Sequence, residues 1–285
     1  MTVATGTAKA PNPMGLTWDP ESLPPFPAVA LRALKLMSGT DTSLIELCNL
    51  IRPDPAFSAA VLRMANSPLV AFSKDITSVL QASMLLGFRR LRSLVMILGL
   101  KAYLNNPYSP LMQLCWRHSV ACAIVAERSA SWTGLDKDFA YTAGILHDIG
   151  RVAMATIMPE SYTRVLERGA DRPQDVIQVE REFCGIDHCE AGHSLVVAWE
   201  LPEAFIEITA HHHDPQARPA GAASLIAPSC RLADALGFAV IRCRIPLSYA
   251  EAVASFPDRA RRRFPADGTD LAAEIANLIN LIELM

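Results

Sequence analysis

Leu111, Leu114, Cys115, His118, Cys122 and Val125 recur at the spacing that puts side chains on one face of an α-helix. The same period returns along most of the chain. It appears in Phe57, Val61 and Met64, in Leu91, Leu94, Val95 and Leu98, and in Phe139, Ala143 and Leu146. It returns in the tail stripe Leu271, Ile275, Leu278 and Ile282. No run of useful length alternates apolar and polar residues at the two-residue period of a strand, and no segment repeats in tandem. The pattern predicts an all-α fold.

Helix punctuation agrees with that reading. Pro27 suits the first position of a helix running to Gly39. Ser43 and Glu46 have capping-box spacing. Asp54-Pro55 starts a helix that stops at Asn66-Ser67-Pro68, where the asparagine has a fold-keeping role. Gly87 ends a short helix that follows a cap at Thr77 or Ser78. Asp136 caps the helix that delivers His147 and Asp148 near its end, and Asp187 with Glu190 caps another, so His188 falls in its first turn. Residues 159–169 and 175–183 read as amphipathic segments. Pro202 starts a helix reaching His211, His212 and His213, and a helix around Asp234 has a kink or break at Pro228.

Composition narrows the function classes. The 285 residues are 51% hydrophobic and 19% charged, enough for a large core or two modest domains. A net charge of −3 gives no global electrostatic case for nucleic acid. The local clusters Arg89, Arg90 and Arg92, and Arg259, Arg261, Arg262 and Arg263, read as solvated helix faces. Seven cysteines with no C-x-x-C pair read as buried reduced thiols in a cytosolic protein. Cys115, His118 and Cys122 share a face, but one face rarely closes a tetrahedral zinc site. Trp116, Trp132 and Trp199 read as core. The N-terminal stretch lacks the apolar core of a signal peptide, and the longest apolar runs, such as "LVMILGL", are too short to span a bilayer. A soluble, cytoplasmic protein is expected.

All seven histidines fall between residues 118 and 213. Metal ligands cluster in this way, because imidazole nitrogens and carboxylate oxygens must converge on one cation. These polar groups also sit on apolar helices, so they must bind each other, water or metal. His193 would face away from His188, and one or two of His211 to His213 point outward.

The order His118, then His147-Asp148, then Asp234 resembles the H…HD…D pattern of the HD superfamily of metal-dependent phosphohydrolases. His188, with His212 and His213, resembles the extra ligands of the binuclear HD-GYP branch, which cleaves cyclic di-GMP. The blocks "LPPFPAVALRALKL", "IRPDPAFSAAVLRMANSPL", "ITSVLQASMLLGFRRLRSLV", "AGILHDIGR", "CGIDHCEAGHSLVVAWELP" and "HHHDP" together resemble the HDOD domain, the HD-related output domain of bacterial signalling proteins. That resemblance implies an HD-like multi-helix bundle and a regulatory, non-catalytic role. Residues 1–22, small, polar and proline-bearing, read as a flexible segment, followed by the domain over 23–245 and a helical extension over 246–285. Within the domain, 23–107 forms an N-terminal helical subdomain and 108–245 the HD-like part.

Carried over by position, the implied ligands are His118, His147, Asp148, His188, His212 or His213, and Asp234, with Asp148 as the bridge. They imply one or two divalent ions, iron, manganese or zinc. Were the site active, Asp148 and Arg151 would act on a nucleotide or cyclic dinucleotide. Two departures oppose that. Arg151 stands where the HD-GYP pattern has lysine, a different cation in shape. The chain also reads "DPQARPAG" after "HHHDP", without the G-Y-P segment. The expected partners are a signalling protein or a nucleotide messenger, with no membrane and no direct nucleic-acid contact. The tail stripe packs on the core or pairs two chains as a homodimer.

Overall fold

The computed structural model describes residues 18–19, 32–33, 43–53, 55–66, 76–103, 110–172, 176–199, 201–214, 216–217 and 219–283, and every regular element among them is helical. The expected segment 1–22 and the helix from Pro27 to Gly39 lie almost wholly outside these residues.

Ser43 closes a capping box on α1 (Leu44–Ile51): its hydroxyl accepts from the Glu46 amide at 3.2 Å, and the Glu46 carboxylate accepts from the Ser43 amide at 2.9 Å. Helix α2 (Pro55–Ala65) buries Phe57, Val61 and Met64. Just past its end, the Asn66 side chain donates to the Ile76 carbonyl and accepts from the Ile76 amide, both at 2.8 Å, which ties the two ends of the connection together. Helix α3 (Val79–Tyr103) consists of two stretches meeting at Gly87, whose φ of 73° is open to glycine. The expected stop at Gly87 is therefore a bend between neighbouring helices.

Helices α4 (Pro110–Thr133) and α5 (Lys137–Leu146) form the most extensive helix pairing among the described residues. Asp136 caps α5 by accepting from the Phe139 amide at 2.9 Å. At Gly144 the two backbones meet, since a Cβ there would lie 2.5 Å from the Ala123 Cα. After His147 and Asp148 come α6 (Ile149–Ile157), α7 (Pro159–Gly169), α8 (Val176–Cys184), α9 (His188–Ala198) and α10 (Glu203–His211). Helices α6 and α9 touch at Gly150, where a Cβ would lie 1.9 Å from the His188 carbonyl oxygen. Both glycines of "GILHDIGR" thus set how closely the helices around His147-Asp148 approach.

A 3₁₀ turn (Gly221–Leu225) leads into α11 (Ile226–Ala233), which ends in a wide turn over Asp234–Phe238 with Gly237 at φ 93°. No kink forms at Pro228, contrary to the sequence expectation. The proline lies in the first turn of α11, where a backbone N–H has no intrahelical partner to lose. Two short helices, α12 (Tyr249–Ala254) and α13 (Asp258–Arg261), precede α14 (Thr269–Glu283). Leu271, Ile275 and Ile279 of α14 are buried, Arg128 of α4 pairs with Glu274, and Arg117 donates to Asn280 at 3.4 Å. The tail stripe therefore packs on its own core. One apolar cluster runs from Leu47 of α1 to Ile279 of α14, and each fully enclosed leucine or isoleucine in it contributes about 2 kcal/mol. No described helix is long and apolar enough to cross a membrane.

Candidate metal centre

The chain breaks helix at His147 and Asp148, and both side chains turn into the interior. Asp148 stands at the N-cap of α6 but makes no cap hydrogen bond. Its carboxylate faces four imidazoles. Oδ1 lies 3.1 Å from His212 Nε2 and 3.4 Å from His188 Nε2. Oδ2 lies 3.4 Å from His118 Nε2 and 3.7 Å from His147 Nε2. His118 comes from the middle of α4, His188 from the first turn of α9, and His212 from the C-cap of α10.

The second nitrogen of each ring is engaged elsewhere. His147 Nδ1 meets the Gly144 carbonyl at 2.7 Å, and His212 Nδ1 meets that of Ile208 at 3.1 Å. His188 Nδ1 meets Glu180 at 2.5 Å. His118 Nδ1 lies 3.2 Å from both the Phe238 carbonyl and Asp234 Oδ1. In each neutral ring these acceptors favour the proton on Nδ1, so that Nε2, turned toward Asp148, is the nitrogen available to a metal. His147 Nε2 and Asp148 Oδ2 are buried without a hydrogen-bond partner. An orphaned atom of this kind costs about 1–3 kcal/mol, which a bound cation relieves. Arg151 Nε lies 2.9 Å from Oδ2 but outside hydrogen-bond geometry, so that contact is coulombic.

Two donor groups share this centre: Asp148, His188, His212 and His213, and His118, His147 and Cys230. Within each, one ligand atom per residue lies within 4.8 Å of all the others. Nitrogen and oxygen donors around a tetrahedral zinc stand about 3.4 Å apart, given bonds of about 2.0–2.2 Å. The Asp148 separations match that figure, and its two oxygens reach one group each. The residues fit divalent metal.

The surrounding charges are balanced inside the protein. Arg151 lies 3.8 Å from Glu180 Oε1, which also accepts from the Tyr162 hydroxyl at 3.3 Å. Glu180 Oε2 accepts from the His188 backbone amide at 3.0 Å. Burial pushes the Asp148 carboxyl up, but Arg151, His147 and His188 outweigh it and hold it well below the usual carboxylate range. Burial lowers His147 to about 3. Burial and Arg151 also disfavour charge on His188, yet Glu180, Cys189 and Asp148 raise it to about 10. His212, opposed by burial and helped by its contact with Asp148, rises to about 9. Without metal, then, a proton on His188 or His212 does part of a cation's work.

Access is narrow. A cavity of about 80 Å³ reaches His118, Asp148 and Arg151 between Val176, Ile241 and His213. A larger hollow of about 560 Å³ lies between α10 and α11 and touches His212, but neither Asp148 nor Arg151 lines it.

The structure brings His118, His147, Asp148, Arg151, His188 and His212 into one buried group, with His213 exposed at its edge, its ring 4.4 Å from that of His212. Asp234 meets the outer nitrogen of His118, and its side chain is partly exposed. His193 and His211 are exposed. Sequence reasoning missed Glu180, Tyr162, Cys189 and Cys230. Glu180 carried a signal: it stands with Val176, Val179, Phe183 and Cys184 at the positions of a buried helical stripe, where a carboxylate has to find a partner.

Residues 23–215, more than half of the chain, match the family model of the HDOD domain. An HDOD domain protein of unknown function from Geobacter sulfurreducens superimposes with a TM-score of 0.72 at 24% identity, covering 92% of this chain and 91% of that one. A candidate signal-transduction protein from Marinobacter aquaeolei VT8 gives 0.73 at 23% identity, over 92% and 60%. A candidate phosphohydrolase from Shewanella amazonensis SB2B gives 0.60 at 23% identity, over 92% and 90%. In sequence, an uncharacterised protein of Treponema pallidum is 26% identical over 196 residues, 68% of this chain and 38% of that protein. Ribonuclease Y of Thermus thermophilus is 30% identical over 146 residues, 51% of this chain and 19% of that protein. The chain thus spans well under half the length of these two relatives. From the match over residues 23–215 and the fold it shares with another HDOD protein, the chain belongs to the HDOD domain family.

Proposed function

We propose that this chain is a regulatory HDOD module built around a divalent metal centre, acting by binding a signalling protein rather than by turning over a substrate. One observation carries the reading. Four imidazoles from separate segments each anchor Nδ1 outward and aim Nε2 at the Asp148 carboxylate. His118, His147, Asp148, His188, His212 and His213 would hold one or two ions of iron, manganese or zinc. A bound ion supplies fixed positive charge at the meeting point of α4, α6, α9 and α10. Asp148 joins the two donor groups, Glu180 orients His188, and Arg151 balances the two carboxylates.

The site geometry favours binding over hydrolysis. The space over Asp148 is about 80 Å³, whereas small-molecule sites run from about 300 Å³ upward. Arg151 points at Asp148 and Glu180, so its guanidinium is engaged inside the protein rather than offered to a phosphate. The family match, and the fold shared with a candidate signal-transduction protein, support the regulatory role. The reading places the module in the cytoplasm, with its domain over 23–245 and α12 to α14 as an extension. A nucleotide messenger is the alternative partner, and a homodimer the alternative assembly.

The rival reading is a phosphohydrolase acting on a nucleotide or cyclic dinucleotide through Asp148 and Arg151; the same donor set and the partial likeness to ribonuclease Y favour it. Assay of metal-loaded protein against bis(p-nitrophenyl) phosphate and cyclic di-GMP separates the two. The regulatory reading expects no hydrolysis above the rate of free metal. Turnover lost in Asp148→Asn and Arg151→Ala would overturn it.

A further inference from the structure

Sequence order makes Asp234 the residue that completes the H…HD…D set, but in the fold it meets His118 from behind. Its Oδ1 lies 3.2 Å from His118 Nδ1, the nitrogen turned away from Asp148, and 44% of its side chain is exposed. Four residues earlier, on α11, Cys230 is 4% exposed, and its Sγ lies 3.5 Å from His118 Nε2, the inward nitrogen. A four-residue step stacks two side chains on one helix face a turn apart, so the thiol takes the inner level and the carboxylate the outer one. His147 Nε2, a member of the same donor group as this thiol, and Asp148 Oδ2, which lies 3.4 Å from His118 Nε2, are both buried with no hydrogen-bond partner. Cys230, His118 and His147 each offer a ligand atom within 4.8 Å of the others. In a tetrahedral zinc site, nitrogen and sulfur donors stand about 3.5 Å apart and nitrogen and oxygen donors about 3.4 Å. The edges here are 3.5 Å from His118 Nε2 to Cys230 Sγ and 3.4 Å from His118 Nε2 to Asp148 Oδ2.

We propose that Cys230, rather than Asp234, completes this half of the centre, making His118, His147, Asp148 and Cys230 a site for a thiophilic divalent cation of the zinc class. The inference rests on the reading that the cluster holds metal. On binding, the Cys230 thiol gives its proton to solvent and the thiolate takes the cation. Asp234 holds His118 in place through its outer nitrogen. A sulfur ligand selects zinc over manganese or magnesium, whose preferred donors are oxygens.

Cobalt(II) is the probe, because a thiolate ligand gives it a sulfur-to-metal charge-transfer band in the near ultraviolet. Full-length metal-free protein is titrated with cobalt, as wild type and as Cys230→Ser, Cys189→Ser and Asp234→Asn, with helical circular dichroism checked for each. Cys189 is the control thiol, since its Sγ lies 3.6 Å from His188 Nε2. The expected result is a band in wild type, Cys189→Ser and Asp234→Asn that is absent in Cys230→Ser. Zinc, but not magnesium, should bleach it. Zinc affinity should fall at least about 100-fold in Cys230→Ser, the upper end of what loss of an outer partner costs. Cobalt bound without the band, or a band lost in Cys189→Ser instead, would overturn the role of Cys230 and leave the metal reading standing. No cobalt bound to folded wild type would overturn both. Should Cys230→Ser fail to fold, the band and its bleaching by zinc are read in Cys189→Ser, where their absence overturns the proposal.

Discussion

Helices α1 to α3 and helices α5 to α10 both enclose apolar side chains, but they differ in what else they bury. In the first group Leu47, Ile51, Phe57, Val61, Leu91 and Leu94 are buried, and the buried polar side chain among the described residues is Ser83, whose hydroxyl donates to the Val79 carbonyl at 2.7 Å. The second group encloses Asp148, Glu180 and Arg151 together with His147, His188 and His212. Desolvating charges costs several kcal/mol per ion, and a well-packed apolar core is at least as stable. Among its described residues, the α1–α3 region shows that this chain builds such a core. Keeping a charged centre in α5–α10 points to a task that apolar packing cannot perform.

The comparison can be broken by removing its hinge. Asp148→Ala leaves Arg151 and the histidines without their shared carboxylate. It should cost about 4 kcal/mol, read as a shift of the urea midpoint in metal-free protein, because unpartnered buried charge is what remains. A loss under about 1 kcal/mol would show that the charges are not coupled. Leu94→Ala, in the apolar half, should cost about 3 kcal/mol through the cavity it leaves. That loss should be the same at every pH, whereas the cost of Asp148→Ala should vary with pH.

Proton linkage sharpens the contrast. The His188 and His212 values are raised to about 10 and about 9, so their stabilisation of the metal-free fold is complete below their unfolded value of about 6.5. It is lost as pH rises through about 9 to 10. His147 is lowered to about 3 and Asp148 is held low, so their contributions are present above the unfolded values and are lost as pH falls. Metal-free protein should therefore lose about 2 kcal/mol or more between pH 7 and pH 10, and Glu180→Gln should flatten that alkaline limb. An unchanged limb would mean that Glu180 does not hold the His188 proton. At the surface, breaking the Arg128–Glu274 pair with Arg128→Ala should change stability by less than about 1 kcal/mol, since both partners are partly solvated.

Much of the fold was legible in the sequence because local rules governed it. The Ser43 box and the Asp136 and Asp187 caps follow from side chains within one turn, whereas the stop expected at Gly87 is a bend between two neighbouring helical stretches. Pro228 misled because its effect depends on where α11 begins, and it falls in the first turn of Ile226–Ala233, where a proline is tolerated. In the centre, the cluster of histidines between 118 and 213 pointed to convergence, and the fold gathers most of them on Asp148. Spacing could not say whether Cys230 or Asp234 faces inward, because residues four apart share a helix face and only the packing of α11 on α4 fixes the depth of each. Glu180 was visible as a carboxylate in an apolar stripe, but its partner His188 lies on the next helix, beyond what one helical period reveals. The close approaches at Gly144 and Gly150 likewise depend on Ala123 and His188, residues distant in the chain.

Elemental analysis of the full chain, purified without chelator alongside His147→Ala and Asp148→Ala, tests the central claim most directly. The account predicts about one or two equivalents of iron, manganese or zinc in the wild type, and loss of metal in both variants. Wild-type protein that is folded, carries no metal and takes up none on dialysis against these ions would contradict it. The ring of imidazoles around Asp148 would then be a polar clasp between helices.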